Sequence, residues 1–353
     1  MLRLLFSAFG MHAHRSPRIH CDGVELAGSA DTDTLVFFAM HFPRNASLDP
    51  TDVALLQWYS REVHRANAAM FVLLYHQPIP GGPDVPHKRM QNLSISVNAG
   101  VCAWRKEQVF ERLPRLKFAL AQSEGYQRET DPHIAMYYYM HASLFLWNES
   151  IGAKVYKNAK YWWRIEPDVL FSGGLSMLLD VTKRDPADLI LHKFLVPQRD
   201  FDRETGEMDK AMRWHWDPNQ LLLQYVPPAR RVRSLVSIGR YSTRFLRLYG
   251  ARFWVRGIAA YEEIGLPVAC TNESLSIVTT AGALTHPPRL PGGCDMAAFS
   301  AGAGVRNLKL APHFQYRPAI ACAEYADALR RGTNELWHPV KDRSCLPTIV
   351  SGL

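Results

Sequence analysis

Glu166 and Asp168 are two carboxylates separated only by Pro167. The five residues before them, Tyr161-Trp162-Trp163-Arg164-Ile165, are mostly aromatic or apolar and favour a strand. Proline cannot donate to a central ladder, so that strand should end or reach its edge at Pro167. The acids then lie on either side of a residue of fixed φ, at the carboxyl end of a strand, where open α/β sheets bind ligands. Hard oxygen donors in that position suit Mg²⁺ or Mn²⁺, which would bridge to a diphosphate. Gly173 and Gly174 follow closely and would let the backbone approach a ligand. A strand ending in a solvated acidic turn is the alternative reading of the same residues.

Other polar residues carry weaker signals. His41 ends an apolar run, where a sheet that binds nucleotides would meet the base or ribose, and Arg44 beside it would meet a phosphate. Trp214, Trp216 and Asp217 mix rings and polar groups as sugar-binding surfaces do, with aromatic faces stacking on pyranose rings. Core packing of those tryptophans is the alternative. His12 and His14 form an HxH pair in a stretch without periodicity, which reads as solvated tail as readily as metal site.

The string Tyr161-Trp162-Trp163-Arg164-Ile165-Glu166-Pro167-Asp168-Val169 resembles the Trp-Arg-Val-Glu-Pro-Asp-Val string of fungal Golgi α-1,2-mannosyltransferases of the KTR type. More loosely, it is similar to the acidic strands of other eukaryotic GT-A glycosyltransferases. The close match is confined to this string, so the mannose of those enzymes does not carry over. The resemblance implies a GT-A, Rossmann-like α/β fold, with a mixed, mainly parallel sheet flanked by helices. It implies a nucleotide-sugar donor, a glycan or glycoprotein acceptor, and Mn²⁺ or Mg²⁺ held by Glu166 and Asp168. It also implies two further parts. An acid at the start of a later helix corresponds to Glu263, with Glu262 in reserve, and would act as general base toward the acceptor hydroxyl. Ordinary helix N-terminal acids favoured by the dipole would look the same. A histidine near the carboxyl end corresponds to His338 of Trp337-His338-Pro339-Val340-Lys341; it would complete the metal site, with Lys341 neutralising the leaving diphosphate. Arg164, Gly173 and Gly174 then join His41, Arg44 and Lys341 on the donor side, and Trp214, Trp216 and Asp217 on the acceptor side. A non-catalytic glycan- or sugar-nucleotide-binding protein on the same scaffold is the reading from another class.

Elements must position these groups. Residues 34–41 and 69–75 are short apolar runs that read as buried strands, joined by a helix from about Asp49 to Ala68. Strand, helix, strand with continuous apolar strands is a parallel α/β unit. Residues 78–86 read as a loop, 97–125 as partly helical, and 134–147 as a helix. The strand 160–171 carries the acids, and 188–191 begins another strand. Residues 198–210 read as a charged loop and 242–255 as helical, while the stretch 281–304, rich in Gly, Ala and Pro, reads as a long loop. Residues 325–331 form a short helix before 336–341. Residues 1–31 read as a tail or degenerate signal or anchor, with Arg3 before Leu4-Leu5-Phe6, and 32–353 as one GT-A-like domain.

The composition is that of a globular chain, with 47% hydrophobic and 21% charged residues, and it has no run long enough for a membrane-spanning helix. Membrane association would come only through the amino-terminal stretch. The net charge of +8 is concentrated in Arg230, Arg231, Arg233, Arg240, Arg244, Arg247, Arg252 and Arg256. No zinc-knuckle, RNP or helix-turn-helix pattern accompanies them, so no nucleic acid is expected and solvated helix faces are the plain reading. GxSxG, HExxH, Walker and GxGxxG patterns are also missing, which argues against hydrolase, NTPase and dehydrogenase chemistry. None of the 6 cysteines forms a CxxC pair, so a thiolate zinc site is unsupported. N-glycosylation patterns at Asn45, Asn92, Asn148 and Asn272 point toward the secretory pathway, the Golgi lumen under the resemblance, with the cytosol as the alternative.

Overall fold

The computed structural model describes residues 19–41, 48–76, 87–130, 135–195, 226, 231–258, 260–271, 277–278, 284–285, 293–300, 306–311, 313–314 and 319–342. Its strands, in chain order, are β1 (His20–Asp22), β2 (Thr34–His41), β3 (Ala69–Tyr75), β4 (Gly100–Trp104), β5 (Tyr161–Ile165), β6 (Leu170–Phe171) and β7 (Leu189–Leu191). After these come β8 (Ile238–Ser242), β9 (Ile277–Val278), β10 (Leu284–Thr285), β11 (Met296–Ala298), β12 (Arg306–Asn307), β13 (His313–Phe314) and β14 (Leu336–His338). A 9-stranded sheet has the order β1-β4-β3-β2-β5-β8-β7-β11-β12. Its centre, β4-β3-β2-β5, is parallel throughout, and β8 runs against both β5 and β7. The fold is therefore α/β, with a large, mainly parallel sheet flanked by helices.

Two-residue alternation explains why β2 and β3 are apolar without interruption. Leu35, Phe37, Ala69, Phe71 and Leu73 point into one core, and Val36, Phe38, Met40, Met70, Val72 and Leu74 into another. Both faces are covered, so neither can be polar. Helix α1 (Pro50–Arg65) seals the second face with Leu55, Leu56, Tyr59 and Val63. Its start is fixed by Pro50 at the first turn and by the Asp49 side chain, which accepts from the Thr51 N–H at 2.7 Å.

The structure departs from the sequence reading in several places. β1 lies inside the stretch read as a tail, joined to β4 by strand pairing and by the Cys21–Cys102 disulfide. β4 and β8 were not anticipated, and β11 lies within the stretch read as a loop. Residues 134–147 are not one helix: a 3₁₀ turn at Met136–Tyr138 and a helix at Ala142–Trp147 are separated at Tyr139. The cause is tertiary, because the His141 backbone N–H donates to the Glu262 carboxylate at 2.9 Å instead of to a helical carbonyl. The arginine segment is not simply a solvated face either. Arg240 and Arg252 are buried and donate to backbone carbonyls, Arg240 to those of Asp185 and Ala187 and Arg252 to that of Ala269. Buried guanidinium is tolerated when its terminal nitrogens are satisfied in this way.

A second disulfide joins Cys270 to Cys294, and Cys322 is also disulfide-bonded. Such bonds persist in oxidising compartments. Among the described residues no helix is long and apolar enough to cross a membrane.

Candidate functional site

β5 ends at Ile165, paired with Phe38 of β2 on one side and Ile238 of β8 on the other. The chain then turns: the Glu166 N–H donates to Ser237 O at 2.8 Å, and the Val169 N–H donates back to Glu166 O at 3.1 Å. Pro167 sits within this turn, where its missing N–H costs nothing. β6 follows at once and pairs antiparallel with β14, Leu170 opposite Trp337 and Phe171 opposite Leu336. This register carries His338 up to Asp168, and the Val340 N–H donates to Asp168 O at 3.0 Å to hold the two strands there. Trp337 stacks on His313 with ring centroids 3.9 Å apart.

Glu166, Asp168 and His338 consequently converge, each offering a ligand atom within 4.8 Å of the others, with His338 Nε2 3.7 Å from Asp168 Oδ1. Bond lengths of about 2.1–2.5 Å let one ion span such a set. Two carboxylates and one imidazole form an oxygen-rich donor set suited to Mn²⁺ or Mg²⁺. Arg164, only 2% exposed, donates to Glu166 Oε1 at 3.1 Å and fixes its orientation. Burial pushes the Asp168 carboxyl above its ordinary range, the His338 ring pulls it down, and Glu166 pushes it up again. Lys341 offsets part of that crowding. Negative charge is thus concentrated where a cation would relieve it.

The acids form one wall of a cleft of about 300 Å³. His41, Tyr75 and Trp104, the last residues of β2, β3 and β4, line it together with Tyr137, Arg164 and Lys341. The Tyr75 and Trp104 rings lie 4.7 Å apart, and His41 stands edge-on to Tyr75 at 5.6 Å. The charge of Glu166 is the main cause, ahead of burial, that holds the Tyr137 phenol well above its ordinary pKa; Glu263 and Asp168 add to it. Tyr137 therefore presents a neutral hydroxyl among acids. The sequence alone singles out none of Tyr75, Trp104 and Tyr137. The shared position of Tyr75 and Trp104 at the ends of neighbouring parallel strands is the signal that could have found those two.

The structure brings His41, Arg164, Glu166, Asp168, His338 and Lys341 to one place. Gly173 and Gly174 do not line the cleft. A Cβ on Gly173 would lie 2.1 Å from the Asn334 side chain, and Gly174, at φ 83°, sits against Glu62. They serve the turn into the helix Leu175–Lys183. Glu262 and Glu263 open the helix Glu262–Thr271, as the sequence suggested, but both are buried. Glu262 is fully enclosed: it accepts from the His141 N–H, pairs with His141 Nδ1, and His141 Nε2 lies 2.8 Å from the Tyr241 hydroxyl. Burial drives Glu262 well up and His141 well down, so the pair is neutral overall with one proton between them. The reserve base is thereby committed to the fold. Arg44, Trp214, Trp216 and Asp217 lie outside the described residues.

No protein-family model matches the chain, and no curated protein matches it. Among solved structures it is similar to mouse xyloside xylosyltransferase 1 in its apo form, at 10% identity and a TM-score of 0.32, over 68% of this chain and 81% of that one.

Proposed function

We propose that this protein is a GT-A type glycosyltransferase, moving a sugar from a nucleoside-diphosphate donor to a hydroxyl of a glycan or glycoprotein. The observation that carries the reading is the convergence of Glu166, Asp168 and His338 at the carboxyl end of a parallel sheet, beside an aromatic cleft. In this reading Glu166, Asp168 and His338 hold Mn²⁺ or Mg²⁺. The ion would supply charge neutralisation to the departing diphosphate. Lys341, on the cleft wall, adds a second positive charge for the same leaving group. Arg164 donates to Glu166 and keeps it aimed. His41, Tyr75 and Trp104 offer flat faces to the base or sugar. Glu263, whose charge reaches Tyr137, takes the proton of the acceptor hydroxyl.

The test is donor hydrolysis over a panel of UDP- and GDP-sugars with Mn²⁺, comparing wild type with Asp168→Ala. The expected result is turnover of at least one donor by wild type and a loss on the order of 10³-fold in the variant. Equal activity in both proteins refutes the mechanism. Binding of a donor without turnover in either would favour a sugar-nucleotide-binding protein on the same scaffold.

A further inference from the structure

A second convergence of ligand atoms lies on the far strand of the sheet. His20 and Asp22 alternate along β1 and so share one face, while Cys21 between them turns the other way into the disulfide with Cys102. His87 is the first residue of helix α2 (His87–Val97), which packs against β1. Three atoms meet: His87 Nδ1 is 2.8 Å from the Asp22 carboxylate, His20 Nε2 is 3.3 Å from Asp22 Oδ2, and the two ring nitrogens are 3.4 Å apart. The rings stand edge-on, 89° between planes.

We propose that His20, Asp22 and His87 form a zinc site separate from the cleft, with solvent as the remaining ligand. Tetrahedral zinc with bonds of about 2.0–2.2 Å places its ligand atoms about 3.3 Å from one another; two of the spacings here match, at 3.3 and 3.4 Å, and His87 Nδ1 lies closer to Asp22, at 2.8 Å. Hydrogen bonding alone accounts for the cluster less well. If both imidazoles donate to Asp22, two N–H groups of like polarity abut at 3.4 Å. A cation at the common point turns both lone pairs inward and leaves the carboxylate shared. Asp22 is buried at 8% exposure, while the side chains of His20 and His87 are 58% and 65% exposed. The site thus has an enclosed floor and a mouth open to water.

The frame is rigid on both sides. The disulfide ties β1 to β4, and Gly23, directly after Asp22, lies so close to α2 that a Cβ there would fall 1.6 Å from Ser94 Oγ. The distance between the strand and helix halves of the site is therefore set by packing, not by the ligands. Two nitrogens and one carboxylate select zinc, nickel or copper over manganese and magnesium, the reverse of the preference of the oxygen-rich cleft. Bound zinc would clamp the first turn of α2 to the edge of the sheet.

The test uses metal-stripped full-length protein carrying Asp168→Ala and His338→Ala, so that the cleft contributes nothing. Calorimetric titration with zinc chloride is expected to show a single equivalent bound at low-micromolar free zinc or tighter, with manganese failing to compete. Cobalt should give the visible absorption of a four-coordinate nitrogen–oxygen site. Adding His20→Ala and His87→Ala should weaken zinc binding on the order of 100-fold or more, with the circular dichroism spectrum unchanged. A second pair, His20→Gln with His87→Gln, guards against a local packing defect and should behave alike. Zinc should raise the Tm of the background protein and not that of either pair. Absence of zinc uptake at low-micromolar free metal, or uptake unaltered by the histidine substitutions, overturns the site.

Discussion

Replacing Glu262 by alanine separates a structural acid from a chemical one. The side chains of Glu262 and His141 are both 0% exposed. Alanine leaves the His141 backbone N–H, now bonded at 2.9 Å, and the Nδ1 atom without their partner in a site closed to water. Each orphaned group costs about 1–3 kcal/mol, and the lost methylene adds about 0.8 kcal/mol. A destabilisation of about 3–7 kcal/mol follows, a large part of the roughly 5–15 kcal/mol that holds a domain folded. With an unfolding entropy of about 2.1 cal/mol/K per residue over 353 residues, that is a fall in Tm of roughly 4–9 °C. Glutamine behaves differently. Its carbonyl still accepts from the His141 N–H, and its amide donates to Nδ1 where the protonated carboxyl did, while His141 Nε2 keeps its bond to the Tyr241 hydroxyl. Glu262→Gln is therefore expected to cost no more than about 1 kcal/mol. Urea unfolding followed by fluorescence measures both, and the folded fraction is then assayed for transfer. In the proposed reaction Glu263→Gln shows the opposite pattern, with stability kept and transfer to the acceptor lost. An alanine variant within about 1 kcal/mol of wild type, or a glutamine variant as damaged as alanine, would refute the assignment of Glu262 to the fold.

Two further outcomes can be measured on stability alone. His192, 3% exposed, has its pKa lowered to about 3, first by burial and then by Lys193, His338 and Arg233. The unfolded chain takes up this proton near pH 6.5 and the folded chain only near 3, so between those values the unfolded state binds more protons and stability falls as pH falls. The slope is about 1.4 kcal/mol per pH unit, and His192→Gln should flatten it; denaturant midpoints of both proteins at pH 7 and pH 5 test this. The Cys21–Cys102 bridge closes a separation of 81 residues, so Cys21→Ser with Cys102→Ser should cost about 4 kcal/mol by guanidinium unfolding, in line with a loop of that length.

The local physics of single strands was legible in the chain. Unbroken apolar runs at 34–41 and 69–75 could only be strands covered on both faces, and they are. Pro167 announced the end of β5 because a missing N–H is a local fact. Asp49-Pro50 likewise marked the start of α1. Helix 134–147 failed because a carboxylate from residue 262 claims the His141 N–H, and no window of neighbouring residues contains that information. β8 failed because Gly239 and Arg240 look unlike a strand until Arg240 finds the carbonyls of Asp185 and Ala187.

The sequence determined which groups could act, since side-chain chemistry is a property of each residue: two acids around a proline, a histidine and lysine near the carboxyl end, and a pair of acids ahead of a helix. Tertiary structure decided which of them meet. The β6–β14 register carries His338 to Asp168, and that pairing depends on strands far apart in the chain. It also decided between equals. Glu262 and Glu263 are indistinguishable as letters, but helix geometry turns adjacent residues about 100° apart, so one carboxylate is sealed against His141 while the charge of the other reaches Tyr137. Gly173 and Gly174 were assigned to a ligand by type and belong to packing by position. Residue type fixes what bonds are available, and only the folded chain fixes which partner and how much water each one has.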